Sequence, residues 1–187
     1  MYSCLTCTNA TGCTSCDLTL HRVLNSANPR QCDCKTYYFE ATNQTCQPCR
    51  YDCDTCNNDA TCLTCSSTDH KRVFNTSTSY CDCENHYYDN FVDRVCLSCL
   101  PECLTCTNST KCTSCDAALH REFSSTSRCP CIEGKFEQSG NCVGCLYHCQ
   151  DCDSPLTCTS CNSTAKRILD GYSQCVCTDN YYDDKSN

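Results

Sequence analysis

Residues 103–145 read CLTCTNSTKCTSCDAALHREFSSTSRCPCIEGKFEQSGNCVGC. Eight cysteines fall in a fixed order: CxxC, five residues, CxxC, a longer stretch, CxC, another stretch, CxxC. The same order recurs along the chain, with units beginning at Cys4, Cys53, Cys103 and Cys149. Self-similarity at a period of about 46–50 residues marks a tandem array. All 30 cysteines belong to eleven CxxC and four CxC pairs. The repeats are bounded at 1–49, 50–99, 100–145 and 146–187, the first and last lacking part of the pattern.

Composition agrees with a crosslinked scaffold. Leu, Ile, Val and Phe number 25 of 187 residues, below the level at which a chain of this length buries a self-sufficient core. Cysteine is far above the threshold that signals a crosslinked fold. The expected fold class is therefore small disulfide-rich repeats: an elongated tandem array of irregular loops and short β-hairpins, with little helix. The formal charge of −8 offers no basic face to nucleic acid. No apolar run is long enough for a transmembrane helix. Met1 is followed directly by Tyr2, Ser3 and Cys4, with no secretory signal pattern, so a secreted product would be a mature chain or a fragment.

Other residues repeat with the cysteines. A basic and apolar patch follows the second CxxC: His21-Arg22-Val23-Leu24, His70-Lys71-Arg72-Val73-Phe74, His120-Arg121-Glu122-Phe123 and Lys166-Arg167-Ile168-Leu169. An aromatic step follows the CxC: Tyr37-Tyr38-Phe39, Tyr87-Tyr88, Phe136 and Tyr181-Tyr182, usually with acidic or amide residues after it. The aromatics predict one arm of a hairpin, with tips at Asp89-Asn90 and Ser139-Gly140. No 3.6-residue apolar period is sustained, so no helix longer than a turn or two is expected.

The order CxxC-x3-CxxC-x5-CxxC, a spacer, two close cysteines, an aromatic hairpin and CxxC resembles the furin-like cysteine-rich repeats of growth-factor receptor ectodomains and proprotein convertases. The short CxC, the Arg-Val-Leu patch and the Tyr-Tyr-Asp step are closer still to long cysteine-rich surface proteins of ciliated protists. Receptor repeats usually have three residues inside the close pair, so inter-module angles do not carry over. Sequence alone leaves the connectivity open. The resemblance implies a two-bridge knot followed by two single-bridge loops in each repeat. Repeat 1 is then Cys4–Cys13, Cys16–Cys32 and Cys34–Cys46. Repeat 2 is Cys49–Cys56, Cys53–Cys62, Cys65–Cys81 and Cys83–Cys96. Repeat 3 is Cys99–Cys106, Cys103–Cys112, Cys115–Cys129 and Cys131–Cys142. Repeat 4 is Cys145–Cys152, Cys149–Cys158 and Cys161–Cys175. Cys7 and Cys177 are left without partners in this chain, as in a slice cut in register from a longer array or in copies joined head to tail.

Zinc competes for the cysteines, because successive CxxC pairs are a ligand pattern. Seven Cys4 sites would take the formal charge to about −22, with nothing to offset it. A metallothionein-like cluster fits poorly with eleven tyrosines, and a thioredoxin-type site needs one CxxC opening a helix. No metal or other cofactor is expected. His21, His70 and His120 are read as one repeat position, filled by Lys166 in the fourth unit, where a basic side chain lies on an aromatic ring or pairs with an acid. His86 and His148 receive no role. No catalytic constellation or glycine-rich phosphate loop is present, and the chain is not expected to be an enzyme.

Five N-x-S/T sequons, at Asn9, Asn43, Asn75, Asn108 and Asn162, point to glycans and to passage through the secretory pathway. The functional expectation is a structural extracellular or cell-surface protein, a rod, coat or filament component whose partners are further copies or repeats of itself. The alternative is a spacer or ligand-binding segment of a receptor-like ectodomain. A binding face should interrupt the repeat in one unit, by an insertion or an exposed apolar patch. The third unit, with Gly134, Phe136 and Gly140, departs most in sequence.

Overall fold

The computed structural model describes residues 4–10, 12–28 and 30–184. The outer ends of the first and last expected repeats, and Thr11 of the Asn9 sequon, lie outside the described residues. The chain falls into two compact units, 1–97 and 98–187. Both are built from two-stranded antiparallel hairpins joined by turns, and the helical segments among the described residues are 3-10 turns of three residues. No helix among the described residues is long and apolar enough to cross a membrane.

The first repeat shows the plan. Cys4–Asn9 pairs with Gly12–Cys16. Asp17 then accepts a hydrogen bond from the Thr19 amide at 2.9 Å and caps a 3-10 turn, Leu18–Leu20. Arg22–Leu24 pairs with Cys32–Cys34, and Tyr38–Glu40 with Cys46–Pro48. The third repeat opens in the same register, Cys103 opposite Cys115 and Cys106 opposite Cys112. The fourth does so with Cys149 opposite Cys161.

Fourteen disulfides staple these hairpins. The first unit carries Cys4–Cys13, Cys16–Cys32, Cys34–Cys46, Cys49–Cys56, Cys53–Cys62, Cys65–Cys81 and Cys83–Cys96. The second carries Cys99–Cys106, Cys103–Cys112, Cys115–Cys129, Cys131–Cys142, Cys145–Cys152, Cys149–Cys158 and Cys161–Cys175. Partner Cα atoms lie 5.0–5.8 Å apart, which is ordinary disulfide spacing. In each complete repeat, two bridges knot the first hairpin, one ties it to the second, and one ties the second to the third. Sulfur also forms the interior. Among the described residues the buried apolar ones are sixteen cysteines and Phe136, so what little core exists is made of bridges.

Left-handed residues shape the turns. His21, Lys71, His120 and Lys166 have φ of 57–58°. Each carbonyl accepts from the amide just after the CxC: Lys35, Glu84, Ile132 and Thr178. This register corrects one sequence expectation. The position shared with His21 and His120 is held by Lys71, and His70 stands one residue earlier. Three residues beyond the CxC a second left-handed position holds Tyr37, His86, Gly134 and Asn180. Gly134 therefore supplies a conformation that the other repeats adopt with larger side chains. His86, which the sequence left without a role, belongs to this turn. A third position holds Ser79, Ser127 and Ser173, whose carbonyls accept from Cys62, Cys112 and Cys158.

The hairpin tips are partly as expected. Lys135–Gln138 and Asn141–Gly144 turn through Ser139-Gly140, both at positive φ, as a two-residue hairpin loop requires. Asp89-Asn90 is not a tip. Tyr87–Tyr88 pairs with Leu97–Ser98, and Asp89-Asn90 only begins the eight-residue loop between them. The acids and amides after the aromatic step have a second use, which lies in the buried arginines.

Candidate functional site

In each of the first three repeats one arginine is buried where a globular protein would place a large apolar side chain, and its counterpart in the fourth, Arg167, is half-buried. Arg22, Arg72 and Arg121 are 4%, 1% and 5% exposed. Each follows the left-handed residue, which turns its side chain under the second hairpin. Nη1 donates to the carbonyl of the first CxC cysteine: Cys32 at 3.1 Å, Cys81 at 2.9 Å, Cys129 at 2.9 Å and, for Arg167, Cys175 at 3.2 Å. Each guanidinium also holds the acid after the aromatic step: Glu40 at 2.7 Å, Asp89 at 2.8 Å, Glu137 at 2.7 Å and Asp183 at 3.0 Å. A planar fork of five donors meets a carboxylate and several carbonyls at once, which an ammonium cannot do. The clip thus fastens the second hairpin of a repeat to the start of the third.

The clips alternate. In repeats 1 and 3 the acid is Glu, and Nη2 reaches a tip carbonyl there as it does in repeat 2: Gln44 at 2.6 Å, Gly140 at 3.0 Å and Asp93 at 3.2 Å. In repeats 2 and 4 the acid is Asp and a tyrosine hydroxyl donates to it: Tyr51 to Asp89 at 2.9 Å, Tyr147 to Asp183 at 2.7 Å. Burial, followed by the bond to Asp89, pushes the Tyr51 hydroxyl up to about 12.

Three acids set a pH response, Glu40 and Asp89 of the clips and Asp52. The bidentate bond from Arg22 holds the Glu40 carboxyl below its ordinary range. Burial alone would raise the Asp52 and Asp89 carboxyls. Hydrogen bonds outweigh it, from Arg50 and the Cys81 amide to Asp52 and from Arg72 and the Phe91 amide to Asp89, so both are lowered. Groups with depressed folded pKa values add stability above the unfolded carboxylate range, near pH ~4, and lose it as pH falls through the folded values. The guanidinium midpoint of the oxidised protein is expected to fall between about pH 4 and 2, and to fall less in Asp52→Asn. An unchanged midpoint across that window refutes the assignment.

One departure from repetition lies in the second repeat. Its tip, residues 89–96, presents Phe91 and Val92 to solvent at 77% and 75% exposure. The corresponding tips are 41–45 and Ser139-Gly140, which carry no large apolar side chain. Phe91 sits at φ 60°, a strained setting for a bulky residue. Dense hydrogen bonding maintains it. Asp89 accepts from the Phe91 amide at 2.7 Å, and Asn90 accepts from the Val92 and Asp93 amides at 3.0 and 2.9 Å. Arg72 donates to the carbonyls of Arg94 and Asp93. Arg94 in turn donates to the carbonyls of Tyr51 and Cys53 and lies 4.1 Å over the Tyr37 ring. The tip is thus a rigid mount for two exposed apolar groups. In the third repeat, Phe136 is buried and Gly134 and Gly140 serve turns, so the glycine changes there are conformational.

The other sequence candidates are placed as follows. Cys7 is exposed and Cys177 half-buried, and neither is bonded. His21 stacks on Tyr38 at 4.1 Å, and His70 Nδ1 lies 3.0 Å from Asp54. Cysteines also gather near acids or a histidine, as with Asp52, Cys62 and Cys81 or Cys131, Glu137 and Cys142. Every cysteine in those groups is bridged and offers no thiolate ligand. Of the sequon asparagines, Asn9, Asn43, Asn108 and Asn162 are exposed and Asn75 is half-buried. Compared with known proteins, the chain matches no family model, no curated protein and no solved structure.

Proposed function

We propose that this is a structural extracellular or cell-surface protein, a glycosylated rod, coat or filament component built from repeats of the furin-like type and closest in style to those of ciliate surface proteins. The observation that carries this reading is the interior of bridged cysteine. Such a chain belongs to an oxidising environment. Repeats that close on their own staples extend by addition, without a shared core to limit length. The cysteine order, the knot followed by single-bridge ties, and the repeated arginine clip all support modular construction.

A specific observation favours a second reading. The Phe91-Val92 tip interrupts the repeat with an apolar protrusion, as a contact loop on a receptor-like ectodomain would. Negative-stain microscopy of the oxidised protein separates the readings. Ordered assemblies that persist in the F91S/V92S double variant support the structural array. Assemblies lost in that variant assign the contact to the tip. Isolated particles at every concentration overturn the self-assembling array and leave the ectodomain reading.

A further inference from the structure

We propose that Asn43, Asn108 and Asn162 carry N-linked glycans and that Asn75, although it lies in a sequon, is a cross-strand tie. The inference rests on the extracellular reading and deepens it by choosing among the five sequons. In three of them the folded turn is already arranged around the asparagine side chain. Asn43 Oδ1 accepts from the Thr45 hydroxyl at 2.7 Å and the Thr45 amide at 3.2 Å. Asn108 Oδ1 accepts from the Thr110 hydroxyl and amide, both at 2.9 Å. Asn162 Oδ1 accepts from the Thr164 hydroxyl at 2.6 Å and the Thr164 amide at 3.0 Å. In each case the oxygen holds the turn. Among the described residues no group accepts from Nδ2. All three asparagines are exposed.

Transfer of an oligosaccharide from a polyprenyl-diphosphate donor forms a bond from Nδ2 to the sugar C1. It breaks the C1–O bond to the diphosphate, which leaves, and Nδ2 gives up one proton. The Oδ1 acceptor is untouched, so the native turn and the glycan coexist.

Asn75 differs. Its Oδ1 accepts from the Ser77 and Thr78 amides, and its Nδ2 donates to Asp82 Oδ2 at 2.6 Å across the hairpin. The first repeat shows that this is a structural position. Asn25, which is not in a sequon, caps the Ala27 and Asn28 amides and donates Nδ2 to Asp33 Oδ2 at 2.5 Å. Asn75 therefore serves the hairpin whether or not Ser77 follows.

The test is site mapping on the full chain secreted from a eukaryotic cell. Amidase release of N-glycans in 18O water labels each formerly glycosylated asparagine, and peptide mass spectrometry locates the label. Label is expected at 43, 108 and 162, with Asn75 unmodified. Thr110→Ala should remove the label at 108 alone. Absence of label at any of the three, or label at Asn75, overturns the assignment at that position. Alkylation without reductant, run on the same sample, separates this from the parent reading. A secreted protein with its bridges intact but no label sinks only the glycan assignment. A protein retained with reduced thiols sinks the extracellular reading and the glycans with it.

Discussion

Full reduction is expected to abolish the fold. Alkylation of the native protein should modify two thiols, Cys7 and Cys177, whereas alkylation after complete reduction should modify all thirty. The reduced, alkylated chain should lose the dispersed amide spectrum of its hairpins. Each bridge spans 7–16 residues of sequence, and closing loops of that size removes roughly 2–3 kcal/mol of freedom from the unfolded chain. Two-stranded hairpins are marginal on their own in water. With Phe136 the one non-cysteine in the buried apolar set of the described residues, hydrophobic burial has little to offer once the bridges open. A reduced chain that keeps native spectral dispersion would show that side-chain packing, not sulfur, holds the repeats.

The second large effect is expected at Arg72. Its guanidinium meets Asp89 and the carbonyls of Cys81, Asp93 and Arg94. Arg72→Met leaves the three carbonyls without this donor and Asp89 with only the Tyr51 hydroxyl and the Phe91 amide, and breaking a buried pair costs about 3–5 kcal/mol. The bridges keep the chain together, so the loss should appear locally. Amide exchange in Arg72–Asn75 and Tyr80–Cys83 should accelerate by about 10²- to 10³-fold. Arg72→Lys should recover less than half of this free energy, because one ammonium cannot span the set. Arg167, bound to one carbonyl and one carboxylate, should be the mildest of the four sites. Equal losses for Arg72→Met and Arg167→Met would refute the clip as the stabilising element.

The cysteine grammar made the repeat and its pairings legible, the pairings by resemblance to a known repeat type. A CxxC or CxC keeps its spacing whatever surrounds it. The arginines were hidden in plain view. Arg22, Arg72 and Arg121 follow a His or Lys, and such a dipeptide reads as a solvated basic patch, since arginine is rarely fully buried. The left-handed turns were hidden for a related reason. Glycine advertises that conformation, but His21, Lys71, Ser79 and Tyr37 adopt it without any compositional signal. The apolar tip was missed because the stretch from Cys83 to Cys96 is barely longer than its counterparts. What changed was how it divides between strand and loop. Tyr87–Tyr88 is shorter than Tyr38–Glu40 or Lys135–Gln138, and the residues released form the loop that carries Phe91.

The tips of the third hairpins span five residues in the first repeat, eight in the second and two in the third. The bridge and the guanidinium close the base of each one. Doubling the length of a loop already pinned in this way costs only about 0.6 kcal/mol. Evolution can therefore rewrite these apices, in extent and in chemistry, while the stapled chassis beneath stays the same, and diversity among relatives should gather there.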